Sequence, residues 1–186
     1  DFLYNHCLRT FVFAQMIGAR QGMHYDRELL YLGAIMHDLG LTERFDGEQR
    51  YEVNGADAAR SFLLQNQVSE HKAELVWDAI ALHTSIGIPT CKQPEIALVH
   101  IGAGVDVAGA GLEDLSPETI EQAIEAFPRL NCGKALLDLI LGQIKRKPEA
   151  IAFTWMSEIG RCHVHGFSCP TIADLLLKNP LDRIPG

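Results

Sequence analysis

The stretch "AIMHDLGLT", residues 34–42, places His37 and Asp38 side by side at the end of an apolar run. The run belongs to "RELLYLGAIMHD", residues 27–38, whose apolar residues recur at helical spacing, and Gly40 is a plausible helix cap. Aspartate is rarely buried without a partner, and the negative end of a helix disfavours a carboxylate unless a cation offsets it. The stretch therefore predicts a buried helix whose end carries a functional polar pair.

Apolar residues at helical spacing recur along the rest of the chain, and convincing strands with alternating polarity are absent from the sequence. Asn54 and Ser69 are candidate helix caps, and Pro94 suits the first turn of a helix. The sequence predicts an all-α fold, a helical bundle of about eight or nine helices. The predicted helices cover residues 2–18, 27–38, 54–66, 69–83, 94–109, 116–127, 133–146, 149–163 and 171–179.

Composition narrows the classes of function and partner. The 186 residues suffice for one domain with a sizeable core, and the formal net charge of −8 argues against a nucleic-acid surface. No apolar run approaches the roughly 20 residues of a membrane span, and no signal peptide is recognised. Five cysteines at scattered spacings, with no CxxC pair, predict a reduced, cytoplasmic protein. We expect a small-molecule substrate, no nucleic acid, no membrane and a possible homodimer.

Four polar residues interrupt apolar segments and predict a metal site. They are His6 in the first helix, the pair His37 and Asp38, and Asp106 among small apolar residues of "GAGVDVAG". A lone histidine in a helix is more often packed or exposed than a ligand, but an unpaired buried carboxylate is costly. Imidazoles and carboxylates together suit one divalent metal ion. Zinc is the first candidate, with iron, manganese, cobalt or nickel as alternatives.

Two further residues are candidates for moving a proton. His83 ends the apolar helix "LVWDAIALH" at a junction with a loop, as His37 does, and a core or surface role is equally compatible with its position. Glu52 precedes the candidate cap Asn54, where a solvated role is the simpler reading. Proton transfer by a positioned side chain is needed whenever water attacks a substrate. We therefore predict His83 and Glu52 as catalytic residues.

The substrate pocket is predicted from the two longest irregular segments, residues 41–53 and 84–94. Arg9 lies one turn after His6 and could reach a substrate, or equally pair with an acid. Few cations accompany the motifs, and this favours a small neutral or weakly charged substrate over a phosphate. The predicted substrate-binding residues are Arg9, Phe45, Tyr51, Thr84 and Ile86.

The ordered set His6, His37-Asp38 and Asp106 resembles the H…HD…D signature of the HD-domain superfamily of metal-dependent hydrolases. The stretches "NHCLR", "YEVNGADAAR", "AIALHTSIGIP" and "IEAFPRL" resemble its cyanamide hydratase-like branch. The resemblance implies an all-helical fold in which these four residues hold one divalent metal. We expect a single HD-type domain over residues 1–186, with the metal-site core in about 1–110 and the helices of 116–178 packed on it.

Three functions follow as expectations from the residues and the resemblance. The first is a metal-dependent enzyme that uses an activated water on a small molecule, by hydration of a nitrile-type or related substrate. The second is a metal-dependent phosphohydrolase acting on nucleotides or other phosphomonoesters. The third, from another class, is a non-catalytic HD-like domain that binds a ligand. Such domains usually lack a metal ligand, whereas all four residues are present here.

Overall fold

The computed structural model describes residues 1–183, which contain helices and no strands, and this confirms the predicted all-α class. The α-helices of this part of the chain are α1 (Phe2–Arg20), α2 (Arg27–Met36), α3 (Tyr51–Gln65), α4 (Glu70–Leu82), α5 (Pro94–Ala108), α6 (Pro117–Ala126), α7 (Cys132–Arg146), α8 (Trp155–His163) and α9 (Ile172–Leu177). Short 3₁₀ turns occupy several of the connections.

Local sequence signals explain where several helices begin and end. The Asp26 carboxylate accepts hydrogen bonds from the first backbone N–H groups of α2, and Ser116 caps α6 in the same way. Thr171 and Asp174 form a reciprocal capping box at the start of α9. Gly109 ends α5 in the left-handed conformation with φ of 71°, which glycine adopts without a steric cost.

The chain contacts divide the molecule into two compact units, the first spanning Asp1–Leu136. In the first unit, α1 packs against α2 and α5, and α4 packs against α2, α3 and α5. Their shared core includes the fully buried Leu30, Val76, Ile80 and Leu98. Of the described residues, those from 137 to 183 belong to the second unit, in which Ile144, Ile151 and Met156 are buried. One domain across residues 1–186 stays a prediction.

Two predicted helix starts are wrong by three residues or more. Helix α8 begins at Trp155 rather than at 149, because Phe153 has φ of 61°, a left-handed conformation that a right-handed helix cannot contain. Helix α3 begins at Tyr51 rather than at 54, so Asn54 lies inside the helix and donates its side-chain N–H to the Gln49 carbonyl. The earlier start places Glu52 in the first turn of α3.

The prediction that Gly40 caps α2 is also wrong. Helix α2 ends at Met36, and Gly40 lies in the following 3₁₀ turn, Leu39–Leu41, without a positive φ. Its role is close approach to α3, since a Cβ atom at this position would lie 1.9 Å from the Tyr51 carbonyl oxygen. The missing side chain therefore lets the turn after Asp38 press against the start of α3.

The five cysteines all lie within the described residues, and none forms a disulfide. Among the helices of residues 1–183, none combines the length and apolar character needed to cross a bilayer.

Helix α5 provides a matched test of packing between α1 and α5. A Cβ atom at Gly102 would lie 2.2 Å from the Thr10 carbonyl oxygen, whereas the nearest atom to a Cβ at Gly104 is 3.9 Å away. We expect Gly102→Ala to lower the free energy of unfolding by about 1–3 kcal/mol, because the helices must separate. Thermal unfolding should show this as a fall in Tm of roughly 2–4 °C per kcal/mol.

The control is Gly104→Ala in the same helix, where alanine gains up to about 1 kcal/mol in helix propensity without a clash. Equal Tm values for the two variants would contradict the close packing of α1 on α5.

Candidate metal centre

Two helix ends in the first unit present histidines in the same way. His37 follows the last residue of α2 and His83 follows the last residue of α4. Each Nδ1 lies 2.7 Å from the carbonyl oxygen three residues earlier, that of Ala34 or Ile80. A carbonyl only accepts hydrogen bonds, so each Nδ1 carries a proton, and in its neutral form each ring directs an Nε2 lone pair away from its helix.

His6, His37 and Asp38 converge on one buried point. The Nε2 atoms of His6 and His37 are 3.0 Å apart, and the Asp38 Oδ2 atom lies 3.5 Å from each. All three side chains are buried, at 1–3 % exposure. Their ligand atoms lie close enough together to hold one metal ion.

The protonation of this cluster fits a cation. Burial lowers the pKa of His37 to about 4, with the Asp38 carboxylate acting in the opposite direction, so this ring is neutral near pH 7. The His6 Nδ1 atom lies 2.7 Å from the Asp106 carboxylate and donates to it. In its neutral form His6 therefore also directs an Nε2 lone pair at His37. Two lone pairs 3.0 Å apart repel each other unless a proton or a metal ion lies beside them.

His83 borders the cluster. Its Nε2 atom lies 3.7 Å from Asp38 Oδ1, and its ring packs edge-on against His37 with centroids 4.8 Å apart. The Tyr51 hydroxyl is 3.2 Å from the same Nε2 atom and donates to it, because Nδ1 holds the ring proton. Burial raises the pKa of Tyr51 well above its usual value, so this hydroxyl stays protonated.

Asp106 lies on the opposite side of the His6 ring, at Nδ1 rather than at Nε2. Arg9 donates from Nε to Oδ1 at 2.6 Å and from Nη2 to Oδ2 at 2.8 Å, and Arg129 donates to Oδ1 at 2.7 Å. Burial opposes ionisation of Asp106, but the hydrogen bonds from Arg9 and His6 outweigh it and hold its pKa well below the usual range. Asp106 is thus a buried anion matched by two guanidinium groups.

A second possible metal-binding group within the described residues consists of His6, Asp106 and Cys132. Burial raises the pKa of the Cys132 thiol, which disfavours the thiolate that a metal requires. The first group, His6 with His37 and Asp38, therefore has the better ligand chemistry.

Glu52 is fully buried beside the centre instead of being solvated. Arg50 donates to it from Nε at 3.1 Å and from Nη2 at 2.6 Å, and the Thr84 hydroxyl donates at 2.8 Å. Burial alone would raise the pKa of Glu52, but the hydrogen bonds that Arg50 donates are the largest opposing cause, and the pKa lies below its usual value. Glu52 is therefore an ionised carboxylate that ties α3 to the end of α4.

The structure separates the predicted pocket residues into two groups. Tyr51 contacts His83, and Thr84 contacts Glu52, so both lie next to the cluster. Phe45 is half-buried under the Arg44 guanidinium, and Ile86 is 91 % exposed. Neither Phe45 nor Ile86 has a contact with the cluster that the structure records.

Arg9 is paired with a buried acid and does not extend toward a substrate pocket. It is fully buried, and its Nη1 atom donates to the Phe127 carbonyl while its other donors bind Asp106. The sequence analysis gave pairing with an acid as the other possibility for Arg9, and the structure has this pairing.

Two arginines of the site were not predicted. Arg129 binds both the side chain and the backbone carbonyl of Asp106, and Arg50 binds Glu52. The position of Arg129 within "IEAFPRL", one of the stretches that resembles the cyanamide hydratase-like branch, was the available signal. Arg50 lies two residues before Glu52, a spacing that carries no signal outside a folded helix start.

Comparison with known sequences agrees with the geometry. Residues 3–128, more than half of the chain, match the HD domain family. The protein therefore belongs to this family. The match covers α1 to α6 and contains every residue of the cluster. HD domains are generally metal-dependent hydrolases that bind divalent ions.

A protein of Clostridium beijerinckii (strain ATCC 51743 / NCIMB 8052), described only as uncharacterized, is 23 % identical over 78 residues. The similarity spans 42 % of this chain and half of that protein's own length.

Arg9 provides a test of the buried charge pair. We expect Arg9→Met to lower the free energy of unfolding by about 3 kcal/mol or more, because Asp106 keeps its charge and loses its fully buried partner. Urea denaturation measures the change. The control is Arg20→Met in the same helix, where an exposed arginine pairs with Asp114 and the expected loss is below about 1 kcal/mol. Similar losses for both variants would contradict the buried pair.

Proposed function

We propose that this protein is a metal-dependent HD-family enzyme that adds water to a small neutral molecule, with a nitrile-type compound such as cyanamide as the first candidate substrate. The observation that carries the proposal is the pair of imidazole Nε2 atoms 3.0 Å apart, with a carboxylate 3.5 Å from each, in a buried position. Two histidines and one carboxylate also form a common ligand set of catalytic zinc and iron sites.

His6, His37 and Asp38 would hold the ion. A divalent metal there would supply a hydroxide nucleophile near neutral pH and polarise the group under attack. The protein fixes the direction of each imidazole through its Nδ1 atom, by Asp106 for His6 and by the Ala34 carbonyl for His37. Because the ligands are buried and aligned before an ion arrives, little reorganisation accompanies binding.

His83 is the residue we assign to proton transfer. Its Nε2 lone pair is directed beside Asp38, and the Tyr51 hydroxyl donates to it. A neutral imidazole in this position can accept a proton from water and return it to a leaving or product group. Tyr51 stays protonated. Its hydroxyl donates to Nε2 and orients His83 while the ring is neutral, and it can turn to accept from the Nε2–H once the ring has gained a proton.

Glu52 is better suited to positioning than to accepting a proton. Its pKa lies below the usual carboxylate value, which makes it a weak base near neutral pH. Its contacts hold Arg50 and Thr84 at the border of the cluster, where the Arg50 side chain is 30 % exposed. Arg50 and Thr84 are therefore the groups placed to contact a polar substrate.

Charge matching supports a neutral substrate. Among the side chains that the structure describes, three arginines contact residues in or beside the centre, namely Arg9, Arg50 and Arg129, and each is paired with a buried carboxylate. A phosphate group needs cationic donors that are not already neutralised. Phosphomonoester hydrolysis remains the second candidate function, favoured by the partial exposure of Arg50 at the border of the cluster.

The metal content of the purified protein tests the predicted metal site. Purified wild-type protein should carry about one divalent ion per chain by elemental analysis, and Asp38→Ala should lose it, because one anionic ligand disappears. Asp57→Ala, which removes an exposed carboxylate bonded to Trp77, should retain the ion. A wild-type protein that takes up no stoichiometric divalent metal would refute the enzyme proposal.

The substrate prediction is tested by parallel assays of urea formation from cyanamide and phosphate release from a panel of nucleotides. We expect activity on cyanamide. His83→Gln should lower kcat/KM by roughly 10²–10⁴-fold while the metal content is unchanged, because proton transfer is lost. The exposed His71→Gln on the same helix is the control and should be fully active. Turnover of 5′-nucleotides with none of cyanamide would instead support the phosphohydrolase.

A further inference from the structure

We propose that Asp106 is a positioning residue for His6 and not a metal ligand, so that the ion has three protein ligands and its other positions face water and substrate. The inference rests on the proposed metal site and specifies its ligand set. It departs from the four-residue set that the H…HD…D resemblance implies.

The acceptor capacity of Asp106 carries the inference. A carboxylate has about four lone-pair directions. In Asp106, Oδ1 accepts from Arg9 Nε at 2.6 Å and Arg129 Nη1 at 2.7 Å, and Oδ2 accepts from His6 Nδ1 at 2.7 Å and Arg9 Nη2 at 2.8 Å. All four directions are taken by charged or strongly polar donors. A metal ion at either oxygen would have to displace one of these four donors, either an arginine N–H or the Nδ1–H of His6.

The position of Asp106 also supports a positioning role instead of metal ligation. The His6 ring separates its two nitrogens, and Asp106 contacts Nδ1 while His37 lies at Nε2. The group of ligand atoms that can share one ion contains His6, His37 and Asp38, whereas Asp106 groups with His6 only on the Cys132 side. An ion held by His6 Nε2, His37 and Asp38 would therefore be on the other side of the His6 ring from Asp106.

The consequence for His6 is a fixed tautomer and a stronger ligand. A carboxylate that accepts the Nδ1–H keeps the proton off Nε2 and raises the basicity of that atom. Both arginines donate hydrogen bonds to this carboxylate, which favours its charged form. With only three protein ligands, coordination positions stay open for water and substrate, as catalytic zinc sites require.

The test uses Co²⁺, whose visible absorption reports the ligands around the ion. Wild-type protein, Asp106→Asn and Asp38→Asn are each titrated with Co²⁺, and affinity and spectrum are recorded. We expect Asp106→Asn to bind Co²⁺ about 10–100-fold more weakly with the wild-type spectrum, as for loss of a partner that orients a ligand. Asp38→Asn should change the spectrum or abolish binding.

A readout in the metal-free protein tests the positioning role directly. In ¹⁵N-histidine-labelled wild-type protein, the Nδ1–H of His6 should appear as a downfield, slowly exchanging signal, because it is buried against an ionised carboxylate. The signal should move upfield in Asp106→Asn. A His6 ring protonated on Nε2 alone in the metal-free wild type would overturn the inference.

Arg129→Met provides a second variant that keeps the test decisive if Asp106→Asn does not fold. Arg129 is 40 % exposed, and the buried Arg9 pair remains when it is removed. If Asp106 positions His6, Co²⁺ affinity in Arg129→Met stays equal to that of the wild type or falls. If Asp106 were a ligand, freeing its Oδ1 lone pair would increase the affinity.

The two proposals fail in different ways. Wild-type protein that binds no stoichiometric Co²⁺ would refute the proposed function. Wild-type protein that binds Co²⁺ would overturn this inference alone if Asp106→Asn altered the spectrum as Asp38→Asn does, or if Arg129→Met bound the ion more tightly.

Discussion

The buried carboxylate of Asp106 is the interaction on which the arrangement of the centre depends. It joins α5 to two residues of α1, His6 and Arg9, and to Arg129 in the segment after α6. Removing a charge from water is costly unless the partners match it closely, and here two guanidinium groups and an imidazole N–H do so. The same contacts that anchor α1 on α5 therefore also direct the Nε2 atom of His6 at the end of α2.

The ends of α2 and α4 set the directions of the other two histidine rings. His37 and His83 each close a helix with their Nδ1 proton on the carbonyl three residues earlier, so the backbone itself sets the ring direction. This anchoring uses only backbone carbonyls and needs no other side chain. The two rings lie close together because α2 packs against α4. Gly40 then lets the chain turn tightly under Tyr51, which brings the start of α3 and its Glu52 beside His83.

Periodicity and polar residues within apolar stretches are visible in short windows, so they predicted the helices and the candidate residues His6, His37 and Asp38. The resemblance to the H…HD…D signature predicted that these residues share one site. The side of the His6 ring on which Asp106 lies was not predictable, since it depends on a contact across 100 residues. Arg129 was missed for the same reason, at 23 residues from its carboxylate. The left-handed Phe153 that delays α8 and the early start of α3 at Tyr51 reflect backbone choices that residue type does not signal.

The pairing of charges around the centre bears on what it can bind. Asp106 and Glu52 each have arginine partners, whereas Asp38 contacts only imidazoles among the ion pairs that the structure records for residues 1–183. Asp38 is therefore the buried anion whose charge a metal ion would balance. Under the proposed function, one carboxylate and two neutral imidazoles would leave a divalent ion with one unit of positive charge. That residual charge would suffice to polarise a neutral substrate and to stabilise a hydroxide. A dianionic phosphate would need further cations at the border of the cluster, where Arg50 is already paired with Glu52.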